Sequence, residues 1–68
     1  MNSTWVLIET LATERQRKPI YFRFMTAIGP CATADLAEAE RFCSEQAAMR
    51  SPAYLHALSF YEPLEVKR

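Results

Sequence analysis

From Ile20 to Ile28 the chain reads Ile-Tyr-Phe-Arg-Phe-Met-Thr-Ala-Ile. Ile20, Phe22, Phe24 and Ile28 recur at a spacing of two, interrupted only by Thr26, which is the period of a β-strand with one apolar face. The opposite face carries Tyr21, Arg23, Met25 and Ala27 and is amphipathic. Trp5-Val6-Leu7-Ile8, continuing through Glu9-Thr10-Leu11, is apolar on both parities, so a strand there is covered on two sides and belongs in the middle of a sheet.

Between them, Thr13-Glu14-Arg15-Gln16-Arg17-Lys18-Pro19 is polar and closed by a proline at a position where a strand can begin. It lacks Gly or Asn to supply positive φ, so the expectation is a long hairpin loop with a mobile tip. Gly29-Pro30 is expected to end the second strand.

Residues 33–50 are dense in helix formers and contain no Gly or Pro. Thr33 or Asp35 can cap the start, with Asp35, Glu38 and Glu40 near the positive end of the helix dipole. Leu36, Ala39, Cys43 and Ala47 share one face, and Phe42 and Met49 lie roughly 100° round from it. The favoured reading is one continuous helix with Phe42 at its rim; the alternative is a break near Phe42 with Ser44 capping a second segment. Ser51-Pro52 stops the helix, and Ser as cap with Pro in the first turn can start one more turn through Ala53-Tyr54-Leu55. Ala57 to Glu62 alternates as a third strand, Pro63 marks that strand as an edge, and residues 65–68 are expected to fray.

These elements assemble into a single α+β domain over residues 1–68, a small ββαβ two-layer fold. Its three-stranded sheet is antiparallel in the order 2-1-3, with one helix packed on one face; a parallel pairing of strands two and three is the alternative. One helix cannot cover two faces. The open face then presents Trp5, Tyr21, Arg23, Met25 and Tyr61, residue types enriched at protein interfaces.

Length sharpens this picture. A chain of 68 residues buries only about 60% of its unfolded surface and reaches a stability of about 3–5 kcal/mol, so self-association would help it. Half the residues are apolar and 24% charged, which is globular composition. Eight basic and eight acidic side chains cancel, leaving no overall field for nucleic acid or an anionic membrane. No apolar run approaches the roughly 20 residues of a membrane helix, and the first residues do not read as a signal peptide, so a cytoplasmic location is expected. Cys31 and Cys43 are expected as free thiols at a helix start and on a helix face.

Catalytic chemistry finds little to work with. His56 is the sole imidazole, and no recognised spacing joins it to either cysteine. A zinc site would need a fourth ligand and closely spaced thiolates, so no enzyme activity, cofactor or metal is expected. The leading expectation is a protein-interaction module, homodimeric through its sheet. The alternative is a nucleic-acid-binding accessory protein, with Arg15, Arg17 and Lys18 contacting phosphate and Tyr21 and Tyr61 stacking on bases.

Tyr21-Phe22, Gly29-Pro30, Asp35, Ala39-Glu40-Arg41-Phe42 and the run from Ala48 to Pro63 form an order that resembles small bacterial and phage proteins of unknown function. The resemblance spans most of the chain. It implies a phage- or prophage-associated accessory protein, binding a protein or nucleic acid rather than acting in metabolism.

Overall fold

The computed structural model describes residues 3–55 and 60–67. Its sheet has four strands, β1 (Thr4–Glu9), β2 (Tyr21–Thr26), β3 (Gly29–Thr33) and β4 (Tyr61–Val66), in the antiparallel order β3-β2-β1-β4. The helices are short: α1 (Thr10–Gln16), α2 (Glu45–Met49) and α3 (Pro52–Leu55), with a 3-10 turn at Leu36–Glu38. The fold is α+β as expected, with four strands rather than three and no single long helix.

β1 is the central strand that its two apolar parities require. Leu7 and Val6 are both fully buried, on opposite faces. Leu7 joins Phe22, Ala48, Ala53 and Tyr61, with Trp5, Phe42 and Tyr54 packed around them. Val6 joins Tyr21 and Ala39, with Ile8, Leu36 and Val66 at the margin. The last strand lies antiparallel beside β1, as the 2-1-3 order anticipates, with Pro63 opposite Leu7 on the outer strand. Its span differs from the expectation. It runs on through Glu65 and Val66, which pair with Trp5 and Thr4 instead of fraying. The expected strand residues Ala57, Leu58 and Ser59, and His56, lie outside the described residues.

The expected helix over 33–50 does not form, and the reason is the second face of β1. Leu36 and Ala39 pack on the Val6 side, whereas Phe42 and Ala48 pack on the Leu7 side. A straight helix would aim both groups at one layer; an extended break lets the chain cross from one face to the other. Trp5 and Phe42 exchange backbone bonds at the crossing, N–H to O distances being 2.9 and 2.8 Å. Tertiary burial here outweighs helix propensity, a difference of only a few tenths of a kcal/mol per residue among ordinary residues.

The break is capped from the sequence itself. Asp35 Oδ1 accepts from the Ala37 N–H at 2.9 Å to open the 3-10 turn. Ser44 Oγ accepts from the Ala47 N–H at 3.1 Å to open α2, the alternative anticipated for a broken helix. Ser51 Oγ accepts from the Ala53 N–H at 3.2 Å, with Pro52 as the first residue of α3.

Two further segments depart from expectation. The predicted loop at 13–19 is mostly α1, which begins at Thr10 and so also ends β1 two residues early. Leu11, Ala12, Glu14, Arg15 and Gln16 are good helix formers, and the helix is tied at its start and at its middle. Thr10 donates to the Phe60 carbonyl through its N–H (2.9 Å) and its hydroxyl (3.1 Å). Thr13 Oγ1 accepts from the Ile20 N–H at 2.9 Å. Gly29-Pro30 does not end the second strand, which stops at Thr26, but opens β3, the reversal being made by Ala27 and Ile28. Gly29 has φ 138°, a value open to glycine, so it can follow the turn directly.

Candidate interaction surface

β2 pairs with β1 only at its start. Tyr21 sits opposite Ile8 and the Glu9 N–H donates to the Ile20 carbonyl, after which the Phe22 carbonyl accepts from Glu40 instead. Phe42 then fills the place beside Trp5. Beyond Phe22 the β2–β3 hairpin therefore pairs only with itself and extends past β1 as an arm of the sheet. A register shift between Phe22 and Phe24 marks the departure, a β-bulge that bends the strand.

The base of the arm is clipped to the 3-10 turn through Glu38. Its Oε2 lies 3.8 Å from Arg23 Nη2, and its Oε1 accepts from the Thr33 hydroxyl at 3.2 Å. The Arg23 guanidinium also lies 5.2 Å from the centroid of the Phe24 ring. The pair is half exposed and so stabilises little. Its value is positional, since one carboxylate touches both strands of the arm.

Toward the tip the surface becomes apolar and uncharged. Phe24 and Met25 are exposed, and Ile28 at the reversal is 97% exposed. The eleven residues from Phe24 to Ala34 include no Asp, Glu, Lys, Arg or His. Single exposed apolar residues need no explanation, but a run of them on a strand pair that nothing covers among the described residues is an interface signal.

The residues expected on an open face divide between core and surface. Tyr21 and Tyr61 are buried, one in each core cluster, and the Tyr61 ring meets Phe22 edge-on at 5.7 Å. Trp5 is half-buried against the Leu7 cluster. Arg23 and Met25 remain exposed on the arm. The open face vanishes because residues 36–55 cover both sides of the central strands.

Burial, and secondarily the Glu9 carboxylate beside it, hold the Tyr61 phenol well above its ordinary pKa. Arg15, Arg17 and Lys18 are all exposed, at the end of α1 rather than on a hairpin tip. Arg17 takes the left-handed conformation, φ 56° and ψ 31°, that turns the chain toward β2.

Cys31 lies half-buried in β3 and Cys43 is exposed ahead of α2, both free, rather than at a helix start and on a helix face. Among the described residues no group of three His, Cys, Asp or Glu side chains could hold a metal. Among the described residues no helix is long and apolar enough to cross a membrane. A surface hollow of about 350 Å³ is lined by Thr10, Tyr54, Phe60, Tyr61 and Glu62, and another of about 430 Å³ by Thr4, Ala37, Arg41 and Val66. In the second, the Arg41 guanidinium is engaged by the Thr4 hydroxyl and the Leu36 carbonyl, each at 3.2 Å. Compared with known proteins, the chain matches no family model, no curated protein and no solved structure.

The arm was the part that sequence reasoning missed. Period two puts Phe24 and Ile28 on the covered apolar face, but the bulge and the reversal release both. A usable signal was Gly29 itself, since a residue free to adopt positive φ next to an apolar strand is as good a start to a returning strand as an end to the first one.

Proposed function

We propose that this chain is a non-catalytic protein-interaction module that self-associates through its sheet, with the β2–β3 arm as the contacting element. The observation that carries the reading is the exposure of Phe24, Met25 and Ile28 on a hairpin without a charged residue from Phe24 to Ala34. Natural sheets blunt exposed strands with charge, proline or cover, and an arm with one proline, Pro30, and no charge over this length matches one that is covered in use. The resemblance of its motifs supports a phage-associated accessory role, and a cytoplasmic address is the setting expected for it.

Sedimentation at micromolar concentration tests the reading. The wild type is expected to sediment as a dimer, and a Met25→Ser, Ile28→Ser variant as a folded monomer. A wild type that stays strictly monomeric overturns it.

The second reading, nucleic-acid binding, is supported by the exposure of Arg15, Arg17 and Lys18 at one helix end. Against it stand the zero net charge and the burial of Tyr21 and Tyr61, the rings that would have stacked on bases. Salt-sensitive retention of oligonucleotides that falls on neutralising the three basic residues would favour this reading.

A further inference from the structure

The two edges of the sheet are built differently. Each edge strand holds one proline, Pro63 in β4 and Pro30 in β3, but β4 also carries Glu62 and Glu65, charges that discourage another strand from docking. β3, Gly-Pro-Cys-Ala-Thr, carries no charge, and among the described residues no strand pairs with its outer side.

The backbone of β3 narrows what can dock there. Ala27 and Ile28 form a two-residue reversal closed by Thr26 and Gly29, so the next pair, Met25 with Pro30, is one that exchanges no backbone bonds. Pro30 therefore loses no bond to β2 for want of an N–H. The bulge lies in β2, so alternation along β3 is kept. The groups directed outward are the Pro30 carbonyl and both the N–H and the carbonyl of Ala32.

We infer that the outer edge of β3 pairs antiparallel with the same edge of a second copy, centred on Ala32, to make one continuous eight-stranded sheet. The inference rests on the self-association proposed above and adds its register. Centred on Ala32, the two copies exchange reciprocal N–H to carbonyl bonds at that residue, and every outward donor of the strand is used. Centred on Cys31, each Ala32 would face Pro30, and its carbonyl would meet no N–H. A second copy is the occupant because the strand offers only backbone, methyl, hydroxyl and thiol groups. A charged partner gains nothing from it, whereas two neutral strands of small residues meet without like-charge repulsion. The two-fold arrangement is the closed, isologous one that limits assembly to a dimer.

The register is tested by disulfide trapping in the full chain with Cys31→Ser and Cys43→Ser. Two variants are compared: Ala32→Cys, and Ala27→Cys at the exposed reversal. Diamide takes up the two hydrogens released as each thiol pair forms a disulfide, and non-reducing electrophoresis reads the covalent dimer. In the proposed register the two copies of residue 32 are adjacent, while those of residue 27 are offset by ten residues, about 33 Å. The expected result is at least tenfold faster trapping at position 32. A sedimentation dimer that traps equally or faster at position 27 overturns the register and leaves self-association standing. A monomer in sedimentation overturns both.

Discussion

The Trp5 N–H donates to the Phe42 carbonyl at 2.9 Å and the Phe42 N–H returns a bond to the Trp5 carbonyl at 2.8 Å. This single reciprocal pair substitutes for the β1–β2 ladder where β2 has turned away, and it is where the chain passes from one face of the sheet to the other. The same residue that closes the ladder also places its ring against the Leu7 cluster. Two consequences of β1 being apolar on both parities, cover for Val6 and cover for Leu7, are thus met by one continuous segment.

Phe42→Ala is expected to lower stability by about 2–3 kcal/mol, below the full range for a buried Phe because the ring is half-buried. Phe42→Leu, which keeps most of the packing volume and the backbone pairing, is expected to cost about 1 kcal/mol. Urea midpoints measured by tryptophan fluorescence check this, Trp5 being the only tryptophan and adjacent to the change. Equal losses for the two variants would mean that packing at Phe42 does not set its contribution.

Ser44→Ala is expected to destabilise by about 1 kcal/mol through loss of the bond to the Ala47 N–H, and Ser44→Asp to hold or raise stability. Thermal midpoints of the three proteins at low salt give the comparison. An unchanged midpoint in Ser44→Ala would show that α2 is held by Ala48 in the core and not by its cap.

What the sequence made legible, and what it did not, divides along physical lines. β2 follows from side-chain alternation and central β1 from a run that is apolar on both parities, both of which report burial directly, while the place of the last strand beside β1 follows from chain direction. The caps at Asp35, Ser44 and Ser51 are local chemistry and are likewise visible in the residues. The continuous helix at 33–50 is not there because Leu36 and Phe42 are claimed by opposite faces of a strand some thirty positions earlier, information that no local window holds. Alternation also cannot see a bulge. One extra residue near Arg23 frees Phe24 from the face that Phe22 occupies, so the exposed apolar surface lies on the arm and not on the buried Tyr21 face of the sheet.

Arg17→Gly is expected to stabilise the fold by about 0.5–1 kcal/mol, because the left-handed φ of 56° is unfavourable for a residue with a Cβ. The gain is smaller than the strain removed, since glycine has more freedom to lose on folding. The same variant removes one of the three basic groups at the end of α1, so it separates the two readings of that site. A purely structural Arg17 predicts a higher melting temperature with unchanged dimer dissociation. A phosphate contact predicts weaker oligonucleotide retention despite the greater stability.

Tyr61 supplies a pH signature. Its phenol is held above the ordinary value of 10.0 by burial and by the neighbouring Glu9 carboxylate. The folded chain therefore keeps this proton to higher pH than the unfolded chain does. For such a group the stabilising contribution is complete below pH 10 and is lost as pH rises from about 10 toward the folded-state value. Tyr61→Phe keeps the ring, and so the edge-on contact with Phe22, but has no proton to lose. The stability of the wild type relative to Tyr61→Phe is thus expected to be constant between pH 7 and 9 and to fall between pH 10 and 11.5. Every other ionisable group is common to both proteins, so the difference between the two urea midpoints isolates Tyr61. A difference that stays flat across that range would mean that the phenol ionises as freely in the fold as in the open chain, and that Glu9 and the Leu7 cluster do not enclose it.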